Sequence, residues 1–511
     1  MLASLSSCGL NGIDGFSVTV EVNVSMGMPM FDIVGLPDTS VKESRERVRA
    51  AMKNSGFLFP NGRITVNLAP ADLKKEGPAY DLPIALGLLA CTGVIPSESL
   101  RGMCVLGELS LDGSVRGVRG VLPMGIFARG AGVKTLLVPE ANLPELRCVE
   151  GIEVLGAGSL AQAARHLRGE EPIAPMKPLK YEQLLSQRAF VDDYAHVKGQ
   201  KSAKRALEIA AAGGHNVLMI GPPGSGKTLM ARCMPTILPD MTFEEALETT
   251  RIHSVAGSVP ASGLMIERPF RSPHHTASHA SLVGGGINAS PGEVSKAHNG
   301  VLFLDELPEY HRDVLEALRQ PLEDGFVTIA RVSAQATYPA RFVLVCSMNP
   351  CPCGNLGSRV KQCRCTPNQI HRYLNRISGP LLDRIDMHIE VESIPAEQLS
   401  GRVPEEPSDA IRARVEAARE IQRRRYADDA GGIRINAQLS ARNLNEVCVT
   451  SDKAKQILLL SCERLNLSNR AYTRVLKVAR TIADLAGSAQ IEAEHIMEAI
   501  QYRTLDRKYW G

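Results

Sequence analysis

The period of the hydrophobic positions changes twice along the chain. Between Ser17 and Val24, and again between Arg63 and Leu68, apolar and polar residues alternate one for one, which predicts strands with one buried face. Between Val41 and Ser55 the apolar residues recur at helical spacing, so an amphipathic helix is expected there. These runs make residues 1–168 a compact α/β domain. The segment Gly169–Pro178 has three prolines, two acids and no periodicity, so 169–190 reads as a surface linker. From 191 to 395 the apolar runs become short and continuous, at Asn216–Ile220, Gly300–Leu304 and Phe342–Met348, with helical segments between them. Strands that are apolar on both sides belong to a parallel sheet covered by helices on both faces. Beyond Ile394 the pattern turns helical, with segments expected at Asp409–Ala427, Ser451–Asn466, Ser468–Leu485 and Ala493–Tyr502, so 396–511 forms a helical domain.

Composition narrows the classes of function. A chain of 511 residues holds three or four domains with cores of their own. Its 58 Lys and Arg against 55 Asp and Glu leave only +3, too little for bulk charge to hold nucleic acid, so any such site has to be local. Residues 1–170 carry 16 basic and 17 acidic side chains and residues 401–511 carry 19 and 15, which leaves the middle neutral. No basic segment precedes an apolar core at the start, the first cation being Lys42, and the apolar stretch Leu82–Ser97 is too short to cross a bilayer. A cytoplasmic protein with no membrane partner is expected.

The chemistry concentrates in the middle domain. Gly221-Pro222-Pro223-Gly224-Ser225-Gly226-Lys227-Thr228 follows a predicted strand and precedes a helical segment, the context a phosphate-binding loop requires. Its glycines let successive backbone N–H groups wrap phosphates, Lys227 neutralises the β and γ oxygens of ATP, and Thr228 offers a hydroxyl to Mg²⁺. About 80 residues later the apolar run Val301–Leu304 ends in Asp305 and Glu306. Asp305 is then placed to complete the Mg²⁺ shell and Glu306 to polarise a water for attack on the γ-phosphate.

The ordered blocks GPPGSGKT, RPFRSPHHTASHASLVGGG (Arg268–Gly286), GVLFLDELPE, SMNPCPCG and LLDRID (Leu381–Asp386) resemble the magnesium-chelatase-like branch of the AAA+ ATPases. Over essentially the whole chain the sequence is similar to the ComM/YifB family of competence-associated proteins. That resemblance implies a multidomain α/β protein whose central domain is a P-loop parallel αβα sandwich followed by a C-terminal helical lid. It implies that Asn349 is the polar sensor that positions the attacking water, and that Arg384 is an arginine finger for the nucleotide of a neighbouring subunit. Arg470 then matches the second sensor, with Arg474 one turn later as its competitor. It further implies a homo-oligomer, a hexameric ring, with ATP and Mg²⁺ bound.

Two features lie outside the ATP site. Cys351, Cys353, Cys363 and Cys365, within 15 residues, are a set from which a structural Zn²⁺ site could be closed, although four reduced thiols fit the sequence as well. From Cys351 to Arg376 there are five basic residues, Arg359, Lys361, Arg364, Arg372 and Arg376, and no acid, a run that reads either as a solvated face or as contact with a polyanion. His274, His275 and His279 lack matching carboxylates or thiols and are not read as metal ligands. In related ATPases one hairpin inserts in the second helix, here roughly 253–283, and another before the sensor strand, here 327–342, so Arg331 and Gln335 are candidate contacts to a threaded strand, with a plain solubility role as the alternative.

In the first domain, Lys75-Glu-Gly-Pro-Ala79-Tyr-Asp81 and Gly132–Pro139 resemble the active-site blocks of Lon-type proteases, whose domain is ribosomal S5 domain 2-like. That family uses a Ser–Lys dyad. Here Ala79 stands at the serine position and no lysine occurs between Lys75 and Lys134, so peptidase chemistry is not expected. The reading that results is a ring-forming ATP-dependent DNA helicase promoting branch migration of recombination intermediates, as in natural transformation. Its partners would be single-stranded and branched DNA and recombination proteins. A protein-remodelling ATPase and a magnesium-chelatase motor subunit are the alternatives.

Overall fold

The computed structural model describes residues 1–186, 188, 190–286, 289–330, 335–357, 361–394, 405–429, 432–465 and 467–510. Arg331 and Arg359 lie outside the described residues.

The alternating segments fold as a seven-stranded mixed sheet in the order Met30–Val34, Arg63–Ala69, Asp14–Ser25, Leu2–Asn11, Met103–Val105, Thr135–Pro139, Glu153–Ala157. Val18, Val20 and Val22 all point to the same face, and all three are fully buried, which is why the period-two pattern is so regular. The helix Thr39–Asn54 starts where the Asp38 carboxylate accepts the Val41 N–H at 2.7 Å, and it buries Val41, Val48, Ala51 and Met52. The helix Asp81–Cys91 is apolar all round because every one of its residues is buried against the sheet. Its first residue, Asp81, would be an unpaired buried charge if Arg47 did not clamp it, with Nε at 2.6 Å and Nη2 at 3.0 Å from the two carboxylate oxygens.

The central sheet has the order Phe270–Arg271, Val301–Leu304, Val343–Met348, Val217–Ile220, Met387–Glu390, and every neighbouring pair is parallel. Residues alternate between two cores. Val217, Met219, Val301, Phe303, Val343 and Val345 face the helices Lys201–Gly213 and Lys227–Ile237, whereas Leu218, Ile220, Leu302, Leu304, Leu344 and Cys346 face the other layer. Burial on both faces is the physical reason these runs are apolar without interruption.

The C-terminal helices grow out of the first of these cores. The helix Ser408–Arg425 lies on Lys201–Gly213 and Lys227–Ile237, where Gln422 and Arg419 donate to the Ala212 and Ala211 carbonyls at 3.0 and 2.8 Å. Those carbonyls belong to the last turn of a helix and have no intrahelical partner. Helix Asn469–Leu485 packs beside them, and its buried Asp484 is held by Arg425 and by Arg480 at 3.1 Å. Two helices missed by the sequence reading, Ala441–Val447 and Thr504–Trp510, have seven residues each and so show no full repeat of the helical period. The second is not part of a lid. It staples the edge strand Met387–Glu390, with Lys508 at 2.7 Å from Glu390 and Asp506 on His388.

Two expectations are corrected. Residues 169–190 are not only a linker, because Tyr181–Leu185 is a helix that buries Leu184, and the Tyr181 hydroxyl donates to the Met241 carbonyl at 2.7 Å. Residues 253–283 are not a hairpin. Phe270–Arg271 joins the central sheet instead, where the Phe270 ring stacks on Phe303 (centroids 5.9 Å) and the Pro269 carbonyl accepts from Val301 N–H at 2.8 Å. A short hairpin pairing Gly284–Gly285 with Ser290–Pro291 comes later. The second hairpin is present, pairing Phe326–Ala330 with Gln335–Pro339.

The first domain is docked on helix Phe243–Ala256. Arg251 donates to Asp14 at 2.6 Å, Gly120 N–H to the Ser254 carbonyl at 3.0 Å, and the Ser254 hydroxyl to buried Glu145 at 2.5 Å. Replacing Arg47 by Ala leaves the Asp81 carboxylate buried without a counter-charge, and a loss of about 3–5 kcal/mol is expected. Urea titration should show the first unfolding transition of the full chain moving to clearly lower denaturant. An unmoved transition would contradict this account of the first domain.

Candidate nucleotide-binding site

The loop Gly221–Gly226 leaves the carboxyl end of the inner strand Val217–Ile220 and enters the helix Lys227–Ile237. Gly224 and Gly226 have φ of 77° and 90°, a region that favours glycine, and a Cβ at Gly221 would come within 2.3 Å of the Val391 carbonyl oxygen. The sequence therefore has glycine where the turn needs it. The loop presents its N–H groups and the amino end of a helix to one spot, a ready anion site.

Lys227 is folded back into this cradle. Its ammonium donates to the Gly221 and Pro222 carbonyls at 2.7 and 2.9 Å, and the side chain is almost fully buried. Burial pushes its pKa down to about 8, against the opposing pull of Asp305 and Glu306. A cation held by neutral carbonyls at the bottom of an N–H-lined loop fits the phosphates of a nucleotide. Thr228 donates to Asp305 Oδ2 at 2.9 Å, so a hydroxyl and a carboxylate that would hold Mg²⁺ converge beside the loop. Asp305 is fixed on its other oxygen by the Ser347 hydroxyl and by the Glu306 N–H at 3.0 Å.

Glu306 has φ of 53°, unusual for a residue with a side chain, and its carboxylate is half-exposed. Its neighbour is His275, Nδ1 at 3.5 Å from Oε2, whose ring also stands edge-on to Tyr310. Asn349 follows strand Val343–Met348, whose last carbonyl accepts the Gly221 N–H at 3.1 Å, and its backbone lies against the Tyr373 hydroxyl. The phosphate loop, the two carboxylates and Asn349 thus share the carboxyl edge of the sheet. Sequence reasoning missed Ser347 and His275. Ser347 stands inside an otherwise apolar strand, a position where a hydroxyl signals a partner.

The arginines sit elsewhere. Asp386 accepts from Asn216 N–H at 2.9 Å, and Asn216 Nδ2 donates to the Arg384 carbonyl at 3.0 Å, at the amino end of the strand that leads to Gly221. At about 3.3 Å per residue, these groups lie roughly 16 Å from the phosphate loop. Arg384 is buried, donates to the Pro380 carbonyl at 2.7 Å and pairs with Glu323. Arg474 pairs with Asp386, and Arg470, mostly exposed, has Nη1 3.9 Å from Asp383. Although burial alone would raise its pKa, Asp386 is held far below the carboxylate range by Arg474 and His215. Arg341, Arg384, Arg470 and Arg474 line one cleft of about 1340 Å³ at this edge. The fold does not bring Arg470 or Arg474 to the phosphate loop of its own chain.

Among the candidate DNA contacts, Gln335, Lys361 and Arg364 are exposed, whereas Arg376 of the same basic run is tied to Glu309 at 2.7 Å. The Lon-like block offers no nucleophile: Ala79 is buried, and the Lys75 amine is occupied by the Pro70 carbonyl and by the Leu73 carbonyl at 2.8 Å. No helix among the described residues is long and apolar enough to cross a membrane.

Family models place the geometry. Residues 193–399 match magnesium chelatase, subunit ChlI; residues 20–142 match subunit ChlI of Mg-chelatase; and residues 405–503 match the ChlI C-terminal region. Among individual proteins, the chain is 45% identical over 497 residues to an uncharacterized protein YifB of Escherichia coli, covering 97% of this chain and 96% of that one. It is 44% identical over 508 residues to competence protein ComM of Haemophilus influenzae, covering 99% and 98%. To the chloroplastic magnesium-chelatase subunit ChlI-2 of Arabidopsis thaliana it is 23% identical over 330 residues, 59% of this chain and 72% of that one. A phosphate loop on an inner strand of a parallel sheet, with near-full-length likeness at 44–45%, settles the assignment: the chain belongs to the ComM/YifB family of magnesium-chelatase-like AAA+ proteins.

Proposed function

We propose that this protein is a ring-forming, ATP-driven DNA motor, a helicase that promotes branch migration of recombination intermediates. The observation that carries the motor reading is the separation of the ATP machinery between two edges of one sheet. Lys227, Thr228, Asp305, Glu306 and Asn349 stand at the carboxyl edge, and Arg384, Arg470 and Arg474 at the amino edge of the same chain. A phosphoryl transition state spreads negative charge that needs a guanidinium, and a second copy supplies one if its amino edge meets the first copy's carboxyl edge. Head-to-tail contacts of this kind close into rings, and a hexamer is the expected size.

Within the site, Lys227 unfolds from its carbonyl partners to meet the β and γ oxygens, and the N–H groups of the loop hold the phosphates in register. Thr228 and Asp305 would hold Mg²⁺, which neutralises charge between the two phosphates. Glu306 accepts the proton of the attacking water, Asn349 orients that water, and the incoming Arg384 stabilises the leaving charge. His275 is placed to pair with Glu306 when no water is being activated.

The DNA half rests on the likeness to a competence protein along 99% of the chain and on the exposed Lys361, Arg364 and Gln335. A net charge of +3 gives a single copy weak affinity, and a ring multiplies the contacts. A chelatase-subunit reading has the weaker pairwise support, 23% identity over 59% of the chain against 44% over 99% for the competence protein, and proteolysis is disfavoured by Ala79.

On labelled three- and four-way junctions, wild type should hydrolyse ATP faster with DNA than without and should move the branch. Lys227→Ala or Glu306→Gln should each lower hydrolysis by at least about 100-fold. Junctions that neither stimulate hydrolysis nor are resolved would refute the motor reading. Arg384→Ala should lose about 10³-fold or more. Mixing it with Lys227→Ala should restore activity in part, and no restoration would refute the shared site. ATP affinity, measured by titration calorimetry, should be level below about pH 7. It should then weaken by up to about tenfold per pH unit above 8, as the Lys227 ammonium loses its proton. Constant affinity up to pH 9.5 would contradict this role for Lys227.

A further inference from the structure

We propose that Cys351, Cys353, Cys363 and Cys365 bind one Zn²⁺ ion as a structural tetrathiolate that pins the turn after the sensor strand against the phosphate loop. The four sulfurs all lie within 4.8 Å of one another, and no other such group of three or more ligating side chains occurs among the described residues. Cys351–Cys353 stand at 3.4 Å, Cys353–Cys363 at 3.6 Å and Cys351–Cys363 at 3.7 Å. A tetrahedron with Zn–S of about 2.3 Å has edges of about 3.8 Å, so the sulfurs stand close to the corners of a zinc shell. A disulfide needs about 2.05 Å between sulfurs, well below any of these separations. Thiols are weak hydrogen-bonding groups, and contacts among them alone give little reason for four to converge.

The position of the cluster supplies its purpose. Cys351 is completely buried, two residues after Asn349, and its carbonyl accepts the Gly354 N–H at 2.9 Å to close a tight turn. A Cβ on Gly354 would lie 2.6 Å from Pro223 Cδ and 3.8 Å from Asn349 Cγ, so the turn rests directly on the phosphate loop and on the candidate sensor. The described residues between Cys353 and Cys365 form no strand or helix and bring little apolar surface to hold the segment there. A metal cross-link supplies that fixation. When the ion binds, each thiol gives its proton to solvent and forms one Zn–S bond, leaving a site of charge −2. Lys361 and Arg364, adjacent in sequence to Cys363 and Cys365, supply counter-charge, which gives part of the basic run a role besides DNA. Tetrahedral sulfur also suits iron, but a fold that transfers phosphoryl groups has no electron to carry, and redox-inert Zn²⁺ fits the structural task.

Metal analysis by plasma mass spectrometry on the full chain, purified without chelator, tests this independently of any ATPase or DNA activity. About one Zn²⁺ per chain is expected in wild type and in Cys462→Ser, and loss of the metal in Cys363→Ser/Cys365→Ser. Because that double variant could fail to fold, wild type reloaded with Co²⁺ serves as the second measurement. It should show the strong thiolate charge-transfer and tetrahedral d–d absorption of a CoS₄ centre, and Zn²⁺ should abolish both. Gly354→Ala should keep its zinc yet bind a fluorescent ATP analogue at least about tenfold more weakly, the equivalent of 1.4 kcal/mol. Substoichiometric metal in wild type, iron in place of zinc, full zinc in the double variant, or no thiolate absorption with Co²⁺ would overturn the site. Unchanged nucleotide binding in Gly354→Ala would overturn its coupling to the phosphate loop.

Discussion

Every strand of the central sheet runs the same way, and both faces of its three inner strands are buried. From this constraint the rest of the molecule follows. A parallel sheet has two unlike edges, a carboxyl edge where chains turn into helix amino ends and an amino edge where they arrive. Helix amino ends attract anions. The phosphate loop therefore stands at the first edge with Asp305, Glu306 and Asn349 beside it. The carboxylate Asp386 gathers Arg474 and the Asn216 N–H at the second. The candidate ATP-site residues are divided between edges because the sheet is polar, and under the proposed function a second copy joins them.

The remaining parts hold that division in place. The C-terminal helices share a continuous core with one face of the sheet, so Arg470 and Arg474 are carried rigidly at the amino edge rather than on a hinged flap. The last helix, Thr504–Trp510, secures the edge strand beside Val217–Ile220, the strand that leads into the phosphate loop. The first domain is fixed to helix Phe243–Ala256 by Arg251–Asp14 and by the buried Ser254–Glu145 pair. Within it Ala79 is buried and Lys75 is engaged by backbone carbonyls.

Much of this was legible in the residues. Continuous apolar runs announced the parallel sheet, and strict alternation announced the first sheet, because burial on two faces or one leaves different periods. The phosphate loop and the Asp305–Glu306 pair could be read because their chemistry is local in sequence. What could not be read depends on distance in three dimensions. His275 beside Glu306 is one case, since 31 positions of chain separate them. Another is the two-residue strand Phe270–Arg271, too short to show a period and mistaken for part of a hairpin. The location of Arg470 is the most instructive: resemblance makes it a candidate second sensor, and the packing of its helix sets it beside Asp383 at the amino edge, away from the phosphate loop of its own chain.

The central claim is that the ATP site is complete only between two copies. It is tested most directly by measuring ATP hydrolysis per chain against protein concentration, alongside molecular mass by light scattering. The account predicts negligible turnover for the monomer and a steep rise in turnover per chain over the concentrations where rings form. Turnover per chain that stays constant down to fully monomeric protein would contradict it.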